Sequence, residues 1–198
     1  MSIQIVIFFL FIEYNLKMIK TLFDTLFSIL LLLTLGILII IILLLASIDT
    51  GSFGFFFQDR VGQYGKIFKI IKIKTLHLKT GEISTFGKFL RKSKFDELPQ
   101  LINILFGQMS FVGPRPDIKG YYDKLEGDEQ KILLLKPGLT SLASIKYSNE
   151  DEILKKQFNP LKYNDEVIFP DKVKMNLDYY YNHSFFIDLK IILKTIFR

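Results

Sequence analysis

An α+β fold is what this sequence predicts: one N-terminal membrane helix, then a small, mainly helical domain with a short β-hairpin and amphipathic helices suited to a lipid interface. Three observations predict it. Residues 26–48 contain no charged side chain, residues 55–75 hold two β-rich runs around Gly62 and Gly65, and from Thr85 onward apolar residues recur at helical spacing between Gly and Pro breaks. The predicted organisation is an upstream extension over 1–17, a membrane-embedded helix over 18–50 and a folded domain over 51–198.

The first segment has an apolar run, residues 5–12, without a basic residue before it or a small-residue cleavage site after it, so it does not read as a signal peptide. Met18 stands where the next pattern begins, which is why residues 1–17 are expected to be an upstream extension. The uncharged stretch that follows, about 23 residues, is long enough to cross a hydrocarbon core. At about −0.3 to −0.6 kcal/mol for each central Leu or Ile, insertion outweighs the flanking Asp24 and Asp49. Run length makes a plain spanning helix the default. Basic residues lie on both flanks, Lys17 and Lys20 before and Arg60, Lys66 and Lys69 after, so charge does not assign an outside end.

The whole chain has 198 residues and 49% hydrophobic content, enough for one ordinary domain beside the membrane segment. Its net charge of +6 suits a membrane surface, a nucleic acid or a phosphorylated small molecule equally well. The absence of cysteine excludes disulfides, Cys-ligated zinc and thiol catalysis, and is compatible with a cytoplasmic location. With only His77 and His183, a Ser-His-Asp machine or a multi-histidine metal site is not expected. The aromatics cluster in apolar runs instead of alternating with cations, which argues against a nucleic-acid partner.

Along the hairpin, Lys72 and Lys74 alternate with Ile71 and Ile73, giving one basic face; a solvated edge strand guarded by lysines is its simplest reading. Residues 85–94 form an amphipathic basic segment with Phe86, Phe89, Leu90, Lys88, Arg91 and Lys92, able to meet lipid headgroups or a substrate phosphate. It leads into Asp96 and Glu97, two adjacent carboxylates ahead of Leu98-Pro99 and an apolar pattern that Gly107 stops. Asp is a favoured N-cap and Pro is tolerated in a first turn, so Asp96 is expected to cap a helix starting at Glu97. Such a helix end also suits phosphate. Arg115 lies between Pro114 and Pro116 on a stiff loop, and a guanidinium held in this way suits bidentate phosphate binding. Residues 121–135 read as helix, 136–140 as a turn, 149–156 as a charged helix start and 173–181 as a helix. The tail, 185–198, reads as a helix with a wide apolar face, either core or interfacial.

The segment from Gly87-Lys88-Phe89-Leu90-Arg91 through Asp96-Glu97-Leu98-Pro99-Gln100 to Met109-Ser110-Phe111-Val112-Gly113-Pro114-Arg115-Pro116 resembles the bacterial sugar transferases, specifically the small monotopic phosphoglycosyl transferases. Residues 68–75, 137–140 and 184–190 support the likeness in the same order. The resemblance implies transfer of a sugar 1-phosphate from a UDP-sugar to a polyprenyl (undecaprenyl) phosphate with release of UMP, as the first membrane step of glycan assembly. It implies Asp96 as nucleophile through a phosphosugar-aspartyl intermediate, Mg²⁺ as cofactor held by Glu97 with Asp96, and Lys72, Arg91 and Arg115 on phosphate, with Pro114 and Pro116 shaping the loop. It further implies a re-entrant helix in the bacterial cytoplasmic membrane, with the catalytic domain on the cytoplasmic face. Leu35-Gly36 stands where the family has a Ser-Pro break, and glycine permits a bend without enforcing one. Ser141 stands where the family often has glycine, and Lys94-Phe95 where it more often has Ser-Leu. A homo-oligomer is compatible with the sequence. A membrane-anchored, non-catalytic scaffold of the same fold would explain the basic faces but not Asp96, Glu97, Arg91 and Arg115 together.

Overall fold

The computed structural model describes the backbone of residues 3–197, with side chains at Gln4 and Asn15 and from Lys17 to Phe197. It falls into two compact units, one comprising the chain up to Lys20, Val61–Lys66 and the chain from Ser110, the other Thr21–Arg60 and Ile67–Met109. The expected extension over 1–17 falls largely on residues whose side chains lie outside the described ones.

Helix α1 (Ile3–Thr50) runs as helix through Leu35-Gly36, the pair at which the sequence permits a bend without enforcing one. A glycine keeps its N–H, so the ladder closes across it. From Lys17 to Thr50 this helix is apolar and long enough to cross a membrane. Its last turns bury Ile39, Ile42 and Ala46 on one stripe, while Leu33, Ile37, Leu44 and Ile48 on the rest of the surface stay exposed.

In the second unit, Ile42 and Ala46 of that stripe form a core with Ile73 and Leu90, flanked by Phe86, Phe95 and Leu98. The hairpin appears as expected: β1 (Phe55–Val61) pairs with β2 (Ile67–Ile73). Their connection needs left-handed backbone at Tyr64 (φ 59°) and Gly65 (φ 71°), which explains the glycine. Helix α2 (Thr85–Ser93) starts at Ser84, whose Oγ accepts from the Gly87 N–H (2.9 Å) and donates to Asp49 (2.7 Å). A Cβ on Gly87 would lie 2.7 Å from the Thr75 carbonyl, so glycine lets α2 approach the end of β2. Helix α3 (Gln100–Leu105) then ends at Gly107, as expected.

The first unit is built on a parallel pair the sequence did not predict. Strand β3 (Ser110–Val112) pairs with β4 (Gly138–Thr140), the latter read from sequence as a turn. Strands of three residues carry too little periodicity to be recognised. Helices α4 (Leu142–Lys146), α5 (Glu150–Lys155), α6 (Pro160–Tyr163), α7 (Phe169–Asn182) and α8 (Phe185–Ile196) follow. Ser141 N-caps α4, which gives a role to the serine standing where glycine is usual. Residues 121–135 are two 3-10 segments, Tyr122–Lys124 and Gly127–Leu134, instead of one α-helix; left-handed Gly127 opens the second. A core of Val61, Tyr122, Leu125, Ile132 and Val173 holds this unit, and Asn176 donates to the buried Tyr122 hydroxyl. At its other side Lys20 pairs with Asp188, which also accepts from Tyr179, and donates to the Val112 carbonyl (3.2 Å). This network fixes the start of α8 and the N-terminal part of α1 to β3.

Gly113 and Gly138 are the tightest backbone approach in this unit: a Cβ on Gly138 would stand 2.1 Å from the Gly113 nitrogen. Gly138→Ala is therefore expected to lower stability by about 1–3 kcal/mol, read as a fall in denaturation midpoint. Gly36→Ala, whose Cβ meets nothing within 4 Å, should leave that midpoint unchanged or raised.

Candidate active site

Strand β2 carries Lys72 to the buried carboxylate pair in the second unit. The junction from α2 to α3 is not the helix start expected at Asp96. Lys94 takes left-handed backbone (φ 60°) and ends α2; Phe95–Glu97 then form a 3-10 turn, and Pro99 precedes α3. The N–H groups of Glu97, Leu98, Leu101 and Ile102 donate to the carbonyls of Lys94, Phe95, Leu98 and Pro99. Backbone turns thus satisfy the donors that a cap would have served, and the Asp96 side chain caps nothing. Its Oδ1 is buried and accepts no hydrogen bond. A helix-capping role for Asp96 is thereby excluded.

Glu97 is buried beside it and accepts from Lys72 Nζ at 3.0 Å, a pair with little solvent access on either side. Lys72 is accordingly not the solvated edge lysine of the simplest sequence reading. Arg91, in the last turn of α2, donates through Nε to Thr75 Oγ1 (2.8 Å). That bond fixes the guanidinium plane by its inner nitrogen, leaving both terminal nitrogens in a fork suited to a phosphate.

The electrostatics follow from burial. Desolvation pushes the Asp96 carboxyl above the usual range, and the Glu97 charge pushes it the same way; Lys72, Lys94 and Arg91 oppose them. When ionised, Asp96 is a carboxylate with an oxygen free of donors and cations close by, which favours its lone pair as nucleophile. Among the described residues, no three His, Asp or Glu side chains converge as a metal cage. A cation held here would rest on Asp96 and Glu97, with water or phosphate oxygens completing its shell, the arrangement Mg²⁺ favours. The unpartnered Asp96 oxygen fits that use.

Arg115, Pro114 and Pro116 belong to the first unit. There they line an open pocket with Val61, Tyr122, Leu135 and Pro137. Pro114 is buried and its carbonyl accepts from the Gly138 N–H (2.8 Å), so the β3–β4 pairing holds the residue before the exposed Arg115.

Two positioning residues were invisible in the sequence. Thr75 orients Arg91, and Asn103, fully buried on α3, satisfies the backbone on either side of β2 residue Ile70: its Oδ1 accepts from the Ile71 N–H (3.1 Å) and its Nδ2 donates to the Lys69 carbonyl (2.8 Å). The same nitrogen also donates to Gln108 (2.7 Å). Asn103 thus sets the register of the strand that brings Lys72 to Glu97. The only sequence signal is an amide within the apolar run Leu101-Ile102-Asn103-Ile104-Leu105.

A carboxyl whose folded-state pKa lies above its unfolded value favours the protonated native state, so stability is lost as pH rises through the folded pKa. Asp96→Asn removes that cost. In chelator-treated buffer the variant and parent should be equally stable at acid pH, and the variant should gain the advantage toward neutrality in denaturation curves. A variant less stable at neutral pH would contradict the burial-driven shift.

Comparison with known proteins places this geometry in context. A family model described as bacterial sugar transferase matches residues 15–198. The chain is 32% identical over 187 residues to an uncharacterized sugar transferase, EpsL, of Bacillus subtilis, covering 89% of this chain and 85% of that protein. It is 32% identical to a UDP-glucose:undecaprenyl-phosphate glucose-1-phosphate transferase of Klebsiella pneumoniae, over 80% of this chain and 36% of that protein. It is also 30% identical to the galactosyl transferase CpsE of Streptococcus agalactiae, over 74% of this chain and 34% of that protein. The chain therefore spans about a third of the length of the latter two.

Proposed function

This chain belongs to the bacterial sugar transferase family, and we propose that it transfers a sugar 1-phosphate from a UDP-sugar to undecaprenyl or another polyprenyl phosphate. The observation that carries the reading is the buried Asp96–Glu97 pair with Lys72 on Glu97 and Arg91 held by Thr75. An Asp96 oxygen attacks the phosphorus that bears the sugar. The bond from that phosphorus to the bridging oxygen of the diphosphate breaks, UMP leaves with the electron pair, and a phosphosugar-aspartyl ester remains. An oxygen of the polyprenyl phosphate then attacks the same phosphorus, Asp96 leaves as carboxylate, and polyprenyl-diphosphate-sugar is formed. Repulsion between Asp96 and the anionic diphosphate is the main obstacle, and the cations described above offset it. Mg²⁺ on Asp96 and Glu97 would neutralise diphosphate charge as it develops on the leaving UMP. Arg91 is suited to binding phosphate oxygens end-on, and Arg115, on a loop stiffened by Pro114 and Pro116, is a guanidinium suited to phosphate as well.

The K. pneumoniae relative, whose name specifies UDP-glucose and undecaprenyl phosphate, supports the substrate class. Helix α1 supports placement in the cytoplasmic membrane, with the catalytic residues on the cytoplasmic side where nucleotide sugars are made. A re-entrant α1 is part of the proposal; it requires bending at Leu35-Gly36 and return to the same face.

UMP release from a panel of UDP-sugars, with polyprenyl phosphate and Mg²⁺, tests the activity. Asp96→Asn should cut turnover by about 10³-fold or more. Full turnover in that variant, or no UMP from any sugar nucleotide, would overturn the reading. Topology has its own test: single cysteines at Ser2 and Ser52 should react with an impermeant label from the same side, and reaction from opposite sides would establish spanning.

A further inference from the structure

Three aromatic rings on the segment after α1 have no role in the site. Phe53 and Phe55 stand edge to face at 5.5 Å, and Phe55 lies 6.1 Å from Phe57, making a ladder along the start of β1. Phe53 is 69% and Phe57 51% exposed, a large apolar area to leave against water. From Gly51 to Phe57 the chain carries no charge.

The ladder's position relative to α1 is fixed by Gly54, between its first two rings. The Gly54 N–H donates to Ser47 Oγ (2.9 Å), and a Cβ there would meet the Leu43 carbonyl at 2.5 Å. The Gly54 carbonyl accepts from the Lys74 N–H (2.6 Å), so the hairpin holds the segment from its other side. Phe53 and Phe55 therefore flank a backbone clamped to the turn of α1 from Leu43 to Ser47. They are level with the last turns of the helix, where its apolar surface continues. That turn is bordered by Leu44 and Ile48, which are themselves exposed, Ile48 by 80%.

We propose that Phe53, Phe55 and Phe57 form an aromatic membrane anchor that inserts at the headgroup–acyl boundary beside the last turns of α1. The proposal rests on the reading of α1 as a lipid-embedded helix, whose exposed aliphatic surface the ladder continues. Lipid fits this patch because it joins that surface and lacks charge within it. Aromatic rings favour the interface, and the backbone polar groups of a strand edge there can still reach water or headgroups, which limits insertion to shallow depth. Lys74 suits the boundary: its backbone holds Gly54 and its Nζ donates to Ser52 Oγ (2.8 Å), placing an ammonium beside the ladder at phosphate level. Because β1 pairs with β2, anchoring the ladder would also set the height of the strand bearing Lys72 above the bilayer.

The chain has no tryptophan, so each Phe→Trp variant carries a single probe. Full-length Phe53→Trp, Phe57→Trp and Leu44→Trp are reconstituted in phosphatidylcholine–phosphatidylglycerol vesicles, with or without bromine on the upper acyl chain. All three should lose emission in brominated lipid, and the two ladder probes should resist quenching by aqueous acrylamide. Loss at Leu44→Trp but not at Phe53→Trp and Phe57→Trp, with acrylamide quenching both of the latter, would overturn the anchor. No loss at Leu44→Trp would overturn the lipid-embedded α1 and the anchor with it. Neither result depends on transfer activity, so failure here is distinct from failure of the proposed reaction.

Discussion

Placing Glu97 in a dry setting beside Asp96 is costly unless a cation comes with it, and Lys72 is that cation. Truncating one partner of such a pair strands the other charge, at a cost of about 3–5 kcal/mol. Its geometry therefore constrains everything around it. Lys72 must arrive from β2 in one register, which Asn103 holds through backbone bonds at Lys69 and Ile71. Glu97 must arrive on a short turn, which left-handed Lys94 and the succeeding 3-10 bonds produce. The α1 stripe of Ile42 and Ala46, with Ile73 and Leu90, then packs β2, α2 and the apolar helix together in that unit. The apolar helix is thus part of the core behind the site as well as a candidate membrane element.

Much of this was legible because strong local signals agreed with the fold. The uncharged run gave α1, the Gly62–Gly65 punctuation gave the hairpin, and Phe86, Phe89 and Leu90 among basic residues gave α2. What escaped depends on contacts between residues far apart in sequence. Lys72 and Glu97 were both selected as site residues, but their direct pairing across 25 positions was not. Asn103 looked like one polar position in an apolar helix because its backbone partners lie on another element. The β3–β4 pair escaped for the same reason, with Gly113 and Gly138 as its only trace, since their close approach appears only when the chain is folded. Asp96 caps no helix because it lies inside a 3-10 turn, Phe95–Glu97, and Pro99 stands before α3 instead of in its first turn.

Membership in the sugar transferase family and the site's geometry bear on different levels of the same account. The family states the class of reaction. The geometry supplies the physical reasons for particular residues: a carboxylate raised by burial and short of hydrogen-bond donors, a neighbouring carboxylate held by an ammonium, and a guanidinium oriented by a threonine hydroxyl. In the proposed reaction Asp96 is the nucleophile, and the desolvation that would raise its reactivity also makes its charge costly to fold, so stability and chemistry would pull in opposite directions there.

In the proposed reaction Asp96 itself becomes bonded to the sugar phosphate. Incubating the protein with a UDP-sugar labelled in the sugar-linked phosphate, without polyprenyl phosphate, tests it most directly. The expected result is a burst of UMP no larger than the amount of enzyme, with label on the peptide containing Asp96 that polyprenyl phosphate then removes. UMP release that needs both substrates together, with no label retained on the protein, would contradict it.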